Sequence, residues 1–282
     1  MGQNKHVLEL LGRTKVILRD GKIESIDEPI IDFCPLMKKM KGVDSIKGMA
    51  EKQIETCKRE FGFCTPNREF NEKDVVDFGI SETLKVALEE DMLDAAVIVC
   101  EGSGTVITSN PGLVQGIGGR LSGIVEISPI KKIIEKIKEK NGYVLEPPRI
   151  SQIDGYKKAK KMGFDRIAVT ISSKKDIKRF RGFKDDEDLT LIGVHLTGLD
   201  NEKIERLVSM VDIATACASK KIRELSKEKA NLQAGSSIPV YSYTQRGRDL
   251  ILERAKSIDE KLKINVADLP ELDEENQPRP LI

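Results

Sequence analysis

The sequence has few aromatic residues: its 282 residues include no tryptophan, four tyrosines and eight phenylalanines. Proteins that bind carbohydrates or single-stranded nucleic acids by stacking depend on such rings. Hydrophobic residues still make up 39% of the chain, enough for a sizeable core. The shortage of rings therefore argues against a function based on ring stacking, but not against a globular fold.

An excess of charge of one sign is also missing. The chain has 47 Lys and Arg residues against 46 Asp and Glu residues, a net charge of +1. No overall field therefore draws the protein toward phosphate backbones or anionic lipids. A basic cluster at residues 174–184 is followed at once by acidic residues 185–188, which cancel most of its charge. We expect neither a nucleic acid nor a membrane as a partner.

Cysteines and long apolar runs are scarce as well. The five cysteines form no CxxC pair, and apolar runs such as residues 95–100 reach six residues, against the ~20 needed to span a membrane. An odd number of cysteines in a chain of this size does not fit a disulfide scaffold. The first four residues lead directly into a strand pattern without a secretory signal. We therefore predict a reduced, cytoplasmic protein.

From residue 94 onwards, short apolar runs alternate with longer amphipathic segments. The predicted strands are residues 95–100, 123–127, 166–171, 189–195, 212–216 and 238–241. Such alternation is typical of a parallel sheet whose two faces are covered by helices. We predict an α/β fold with a mainly parallel sheet and helices on both faces, preceded by a smaller α+β N-terminal part.

The N-terminal third has a different pattern, with short strands and a predicted tight hairpin turn at Asp20-Gly21. We therefore divide the chain into an N-terminal α+β part (1–93), an α/β domain with a glycine-rich loop (94–264) and an acidic C-terminal tail (265–282). The tail is expected to lie on a subunit surface. A homodimer is expected because closed two-fold assemblies are the commonest soluble oligomers.

Several polar residues are predicted to mark the starts of helices. Ser81 and Asp200 are candidate N-caps, Ser128 precedes a proline at a first helical position, and Ser151 with Asp154 resembles a capping box. A last amphipathic helix is predicted for residues 245–261.

A glycine-rich segment follows the first predicted strand of the α/β domain. Its candidate ligand-binding residues are Gly102, Ser103, Gly104, Thr105, Gly116, Gly118, Gly119 and Arg120. Glycines let backbone N–H groups approach an anion, and Arg120 would be a forked partner for phosphate or carboxylate. The spacing matches neither a Walker A motif nor a GxGxxG that opens a helix. Tight turns between strands would need the same glycines, so both interpretations stay open.

Candidate catalytic side chains follow predicted strands, whose carboxyl ends share one edge in a parallel sheet. We therefore expect His195, one of only two histidines, to reach the wall of a cleft lined by the two glycine loops. His195 and Glu101 are the acid–base candidates, Cys217 and Lys220 are second choices, and Thr197 is a candidate ligand contact. A hydrogen-bonded histidine at a strand end, without catalysis, is the alternative.

Four cysteines lie beside prolines or at strand ends: Cys34, Cys64, Cys100 and Cys217. Four thiolates from separate segments can hold zinc or an iron–sulfur cluster if the fold gathers them. Free cysteine is also a common buried residue.

Several blocks of residues, in chain order, match the pattern of a known family. They include residues 20–22 (DGK), 34–36 (CPL), 62–68 (GFCTPNR), 77–82 (DFGISE), 97–107 (VIVCEGSGTVI), 114–120 (VQGIGGR), 194–198 (VHLTG) and 215–220 (TACASK). From about His6 to Arg254, the sequence resembles the methanogenesis marker protein 8 family. That family has threonine at the position of Leu196 and often alanine at Ser103. The resemblance implies a supporting role in methanogenesis or in making one of its cofactors.

Two functions of different classes are compatible with these features. In the first, the protein binds an anionic small molecule bearing phosphate or carboxylate at the glycine-rich strand-end loop, as an enzyme of anaerobe cofactor metabolism. In the second, it is a non-catalytic metal or iron–sulfur handling or cofactor-assembly protein that uses the four cysteines. Convergence of these four thiols on one centre would favour the second function.

Overall fold

The structure is a computed structural model that describes residues 4–119, 123–172, 174–183, 186–235, 238–271, 275 and 277–282. The strands are β1 (Lys5–Glu9), β2 (Lys15–Arg19), β3 (Lys22–Ile26), β4 (Ala95–Cys100), β5 (Gly104–Thr108), β6 (Gly123–Glu126), β7 (Tyr143–Val144), β8 (Ile167–Ile171), β9 (Leu189–Gly193), β10 (Ile213–Thr215), β11 (Leu232–Ala234) and β12 (Val240–Ser242). The helices are α1 (Pro35–Lys41), α2 (Met49–Phe61), α3 (Ile80–Glu89), α4 (Pro111–Gly118), α5 (Lys131–Glu139), α6 (Gln152–Lys161), α7 (Lys174–Phe180), α8 (Asn201–Val208), α9 (Lys220–Lys229) and α10 (Gln245–Lys256).

The smaller sheet has four antiparallel strands in the order β3-β2-β1-β6. Asp20 and Gly21 join β2 to β3 with φ angles of 49° and 75°, which fits the two positive φ values of a type I′ turn. The predicted hairpin is therefore confirmed. β6 pairs with β1, so the prediction that residues 123–127 belong to the parallel sheet is wrong. The division of the chain near residue 93 stays a prediction.

The larger sheet has eight strands in the order β11-β12-β10-β9-β8-β4-β5-β7. Its central strands β4, β8, β9 and β10 are parallel, as predicted for residues 166–216. β5 and β7 extend one side of it, and β12 and β11 the other, by antiparallel pairing. The prediction of a mainly parallel sheet is therefore wrong, because short hairpin strands flank the parallel centre.

Helices cover both faces of this larger sheet, as predicted. Alternate side chains of β4 enter different clusters: Ala96 and Ile98 pack with residues of α3, α4, α5 and α10, whereas Ala95 and Val97 pack with residues of α6, α7, α8 and α9. Because successive strand residues point to opposite faces, a strand buried on both sides reads as one continuous apolar run.

The predicted helix starts have mixed outcomes. Asp200 caps α8 by accepting a hydrogen bond from Lys203 N at 3.0 Å. Ser81 lies within α3 rather than at its cap, and Ser128 Oγ accepts from Lys5 N instead of capping α5. Ser151 Oγ donates to an Asp154 oxygen at 2.7 Å but caps no backbone group of α6.

The end of the chain packs against its own subunit. Arg279 pairs with Phe33 through backbone hydrogen bonds, and its guanidinium lies 4.2 Å from the centre of the Phe33 ring. Ile282 N donates to Ala218 O, and Ile282 O accepts from Lys220 N. This segment therefore connects the chain before α1 with the start of α9.

Helix α10 ends at Lys256, five residues before its predicted end. In the described part of the chain, no helix has the length and apolar character needed to cross a membrane.

Candidate functional site

Two neighbouring loops at the carboxyl edge of the parallel strands carry the main candidate residues. His195 comes two residues after the end of β9, and Cys217 comes two residues after the end of β10. These strands pair in parallel, so their loops lie side by side. Thr197 Oγ1 accepts a hydrogen bond from Ala218 N at 3.2 Å and joins the two loops. The structure thus brings His195, Thr197 and Cys217 to one edge.

Both loops hold a non-glycine residue in the left-handed region. The φ angle is 55° at His195 and 37° at Cys217. A backbone held in this region costs about 1–3 kcal/mol, and such residues are concentrated at functional sites. Two adjacent loops with the same strain make this edge a candidate site.

A carboxylate from the small sheet fixes the ring of His195. His195 Nε2 lies 2.5 Å from Glu9 Oε2, which also accepts from Arg13 Nε at 2.9 Å. Arg13 Nη1 donates to Thr197 O at 2.6 Å. A Cβ atom at Gly123 would lie only 2.7 Å from His195 Nε2, so this position leaves room for the ring. The His195 side chain is 11% exposed.

The electrostatics of Glu9 reflect this arrangement. Burial raises the pKa of the Glu9 carboxyl, but the hydrogen bond from His195 and the charge of Arg13 outweigh burial and lower it overall. Glu9 is thus held as a carboxylate. Sequence reasoning missed Glu9 and Arg13, because Glu9 is 186 residues away from His195 and no local pattern links them.

Cys217 and Lys220 have different surroundings although they are only three residues apart. Cys217 is partly exposed, and its carbonyl accepts a hydrogen bond from Arg223 Nη2. Lys220 is exposed at the start of α9, with its Nζ 4.0 Å from a Glu224 oxygen. Cys34 lies near enough to Cys217 to interact with it electrostatically, and burial is the main cause of its raised pKa.

The other acid–base candidate, Glu101, lies in a separate buried cluster. Glu101 is 1% exposed and pairs with Arg68, which is fully buried. Arg68 Nη2 also donates to Gly116 O at 2.9 Å, and Cys100 Sγ donates to Glu101 Oε2 at 3.4 Å. Among the described residues, no hydrogen bond or ion pair joins Glu101 to His195. Glu101 thus belongs to the hydrogen-bond cluster of Arg68, and its acid–base role stays a prediction.

The first group of glycines packs against protein. Gly102 turns the β4–β5 hairpin with φ 74°, and a Cβ there would lie 2.7 Å from Ile133 Cδ1. Gly104 begins β5 with φ 81°, and a Cβ there would lie 2.4 Å from Arg149 O. Thr105 Oγ1 donates to Gln152 Oε1 at 2.9 Å. Residues 101–105, including Ser103, are all buried.

The second group of glycines forms a helix rather than the predicted loop. Gly116 and Gly118 belong to α4, and Gly119 follows it. A Cβ at Gly116 would lie 2.6 Å from Phe70 Cβ, and one at Gly118 would lie 2.8 Å from Ser81 Cβ. Both predicted glycine loops are therefore tightly packed segments. Arg120 lies outside the described residues.

The four candidate metal ligands fall into two pairs. Cys64 and Cys100 lie near each other beside Glu101, and burial followed by the Glu101 charge raises both pKa values well above normal. Cys34 and Cys217 form the other pair. Across the ranges that the structure describes, no group of three or more His, Cys, Asp or Glu side chains could hold a metal ion.

A surface cavity of about 380 Å³ lies at the opposite edge of the sheet, at the start of β9 and just before β10. Leu189, Asp212 and Arg246 contribute to its lining. Asp212 accepts hydrogen bonds from Leu191 N at 2.8 Å and Thr244 Oγ1 at 2.6 Å, and burial raises its pKa. These bonds connect the chain before β10 to β9 and to the N-cap of α10. Sequence reasoning did not predict this cavity.

Comparison with known proteins identifies a relative along nearly the whole chain. An uncharacterized protein of Methanocaldococcus jannaschii, MJ0054, is 42% identical over 284 residues, covering 99% of this chain and 100% of that protein. A chain of the F420-reducing [NiFe] hydrogenase complex from Methanosarcina barkeri matches with a TM-score of 0.34 at 12% identity, covering 63% of this chain and 72% of that chain. Residues 6–256 match the family described as uncharacterized protein conserved in archaea (DUF2099). The chain therefore belongs to this archaeal family.

Proposed function

We propose that the protein binds an anionic small molecule, bearing a carboxylate or a phosphate, at the carboxyl edge of β9 and β10. The observation that carries this proposal is the pair of adjacent strained loops with His195 and Cys217, joined by the bond between Thr197 and Ala218. Neither the buried Glu101 nor the packed glycines are needed for it. The site is the edge itself, not a glycine loop.

In this proposal His195 is the acid–base residue. An imidazole oriented by a carboxylate is the usual arrangement of a general base, because the carboxylate fixes the ring and stabilises its charged form. Glu9 supplies this carboxylate on Nε2. Proton exchange with a ligand would therefore use Nδ1. Cys217, on the neighbouring loop, is the second reactive group.

In this proposal, two arginines and the exposed Lys220 supply positive charge for the ligand. Arg13 is bonded to Thr197 O, on the same loop as His195. Arg120 precedes Gly123 by three residues in the sequence, and Gly123 faces the His195 ring. We retain Arg120 as a ligand contact because an arginine fork suits carboxylate and phosphate groups.

We further propose that this activity serves anaerobe cofactor metabolism, as the resemblance to methanogenesis marker protein 8 implies. A 42% identical relative in a methanogen supports such a setting. A cytoplasmic location and a homodimeric state belong to the same proposal. Light scattering at micromolar concentration checks the last point, and the mass of one chain would rule it out.

The binding proposal is tested by thermal stability in the presence of acetate, succinate, inorganic phosphate or pyrophosphate. A ligand that binds only the folded protein raises the melting temperature in proportion to the logarithm of its concentration. We expect such a rise for at least one anion at constant ionic strength, and its loss in His195→Asn and Cys217→Ala.

Matched controls come from α9. Lys220→Ala changes the exposed lysine beside the site, whereas Lys229→Ala changes an exposed lysine at the far end of the same helix. Only the first is expected to weaken anion binding. The proposal fails if no anion stabilises the protein beyond the chloride baseline, or if His195→Asn and Lys229→Ala bind equally well.

A further inference from the structure

Helix α9 buries an arginine directly beneath the Cys217 loop. Arg223 is 2% exposed, and its Nη2 donates to Cys217 O. Its Nε and Nη1 atoms are buried and have no hydrogen-bond partner among the described residues. A buried guanidinium with open N–H donors is rare, because each unmet donor loses its water without a replacement.

The hydroxyl of a buried tyrosine on β12 is a third unmet donor. Tyr241, on β12, is fully buried and its hydroxyl also has no partner in the described part of the chain. Arg223 and Tyr241 are close enough to interact electrostatically, as are Arg223 and Cys217. Burial raises the pKa of Tyr241 to about 12, so its hydroxyl remains a donor at neutral pH.

Two acidic residues near α9 lie beside lysines. Glu224 lies beside Lys220, and Glu205 pairs with Lys221 at 2.7 Å on the outer side of the helix. Among the described residues, no carboxylate forms an ion pair with Arg223. In the described part of the chain, the Nε and Nη1 atoms of Arg223 and the hydroxyl of Tyr241 are therefore buried donors without an acceptor, and no carboxylate pairs with Arg223.

We propose that Arg223 and Tyr241 receive the carboxylate group of the small molecule that binds at the edge carrying Cys217. This inference rests on the proposed function and names the chemistry of its ligand. A single guanidinium matches the single charge of a carboxylate better than the double charge of a phosphate at neutral pH. Arginine and tyrosine then donate to its two oxygens, while Cys217 and His195 lie toward the rest of the ligand.

A neighbouring tyrosine provides a matched control. Tyr243 lies two residues further along the chain, but its hydroxyl is 2.9 Å from Ser226 Oγ and is thus satisfied within the protein. Removing an unmet buried hydroxyl costs the free protein nothing, whereas removing a bonded one leaves a partner unsatisfied. Tyr241→Phe and Tyr243→Phe are therefore expected to behave in opposite ways.

The experiment measures apparent affinities for acetate, succinate and inorganic phosphate together with urea unfolding of the free proteins. We expect Tyr241→Phe to weaken carboxylate binding by about three- to tenfold and Arg223→Gln by about tenfold or more. Tyr241→Phe should leave the urea midpoint unchanged or raised. Tyr243→Phe should lower that midpoint and keep the carboxylate affinity within about twofold.

The outcomes separate this inference from the proposed function. If carboxylate binding depends on His195 but is unchanged in Tyr241→Phe, the inference about Arg223 and Tyr241 is wrong. The proposed site at the carboxyl edge of β9 and β10 then still holds. A preference for phosphate that is retained in Arg223→Gln also contradicts this inference. So would the finding that the donors of Arg223 and Tyr241 bind only ordered water. Absence of any anion binding overturns both proposals. Tyr241→Phe keeps the test decisive even if Arg223→Gln does not fold.

Discussion

Replacing Glu101 by glutamine is expected to destabilise the protein strongly, because it leaves Arg68 as a buried charge without its counter-ion. Both side chains are almost fully buried, at 1% and 0% exposure. Burial by itself lowers the pKa of Arg68, but the Glu101 charge raises it overall, so the guanidinium stays ionised. Loss of one partner of a buried pair costs about 3–5 kcal/mol.

Further contacts hold the Arg68 side chain in its buried position. Its other nitrogens donate to Gly116 O and Glu69 O, and the Phe70 ring centre lies 4.9 Å from its guanidinium carbon. Arg68 therefore joins the chain before α3 to α4 and to the β4–β5 hairpin. At about 2 °C for each kcal/mol, Glu101→Gln should lower the melting temperature by about 6–10 °C.

Urea unfolding at pH 7 measures the free energy of unfolding of each variant, and an exposed ion pair serves as the control. Glu146 lies 3.1 Å from Lys138 with both side chains more than half exposed, so Glu146→Gln should cost less than about 1 kcal/mol. In the double variant Arg68→Met with Glu101→Gln, the loss should be smaller than the sum of the two single losses. If Glu101→Gln costs no more than Glu146→Gln, the buried pair is not a structural element. Loss of ligand binding at unchanged stability would return Glu101 to the list of site residues.

Three further predictions concern glycine packing, acid stability and helix capping. Gly104→Ala should cost at least about 2 kcal/mol more than Gly163→Ala in urea unfolding, because both have positive φ but only Gly104 lies against backbone, at Arg149; equal losses would contradict the contact. Since the pKa of Glu9 is lowered from 4.5, its stabilising contribution is full above that pH and is lost as the pH falls through the lower folded value. The free energy of unfolding of Glu9→Gln should therefore depend less on pH below 4.5 than that of the parent protein. An unchanged pH dependence in this range would exclude the stabilising role of Glu9. Asp200→Ala should lower stability by about 1 kcal/mol through loss of the α8 cap, and Asp200→Asn, which keeps an acceptor, should recover most of it in thermal melts.

Features that depend on residues close together in the chain could be predicted from the sequence. The Asp20-Gly21 turn follows from the tolerance of these two residues for positive φ, and the strand Ala95–Cys100 has the predicted bounds. The Asp200 cap needs only a side chain three residues from its N–H donor. The parallel centre and the helices on both faces followed from the alternation of short apolar runs with amphipathic segments.

Other features depend on contacts between segments that are distant in the sequence. A glycine in the sequence does not show what fills the space of its missing side chain, and at Gly104 and Gly116 protein atoms fill it. The pairing of β6 with β1 and the short flanking strands depend on contacts between distant segments. The proximity of His195 and Cys217 could be predicted, since parallel strands share an edge. The partners Glu9 and Arg223 could not, because ion pairing and burial depend on which side chains the folded chain brings within a few ångströms.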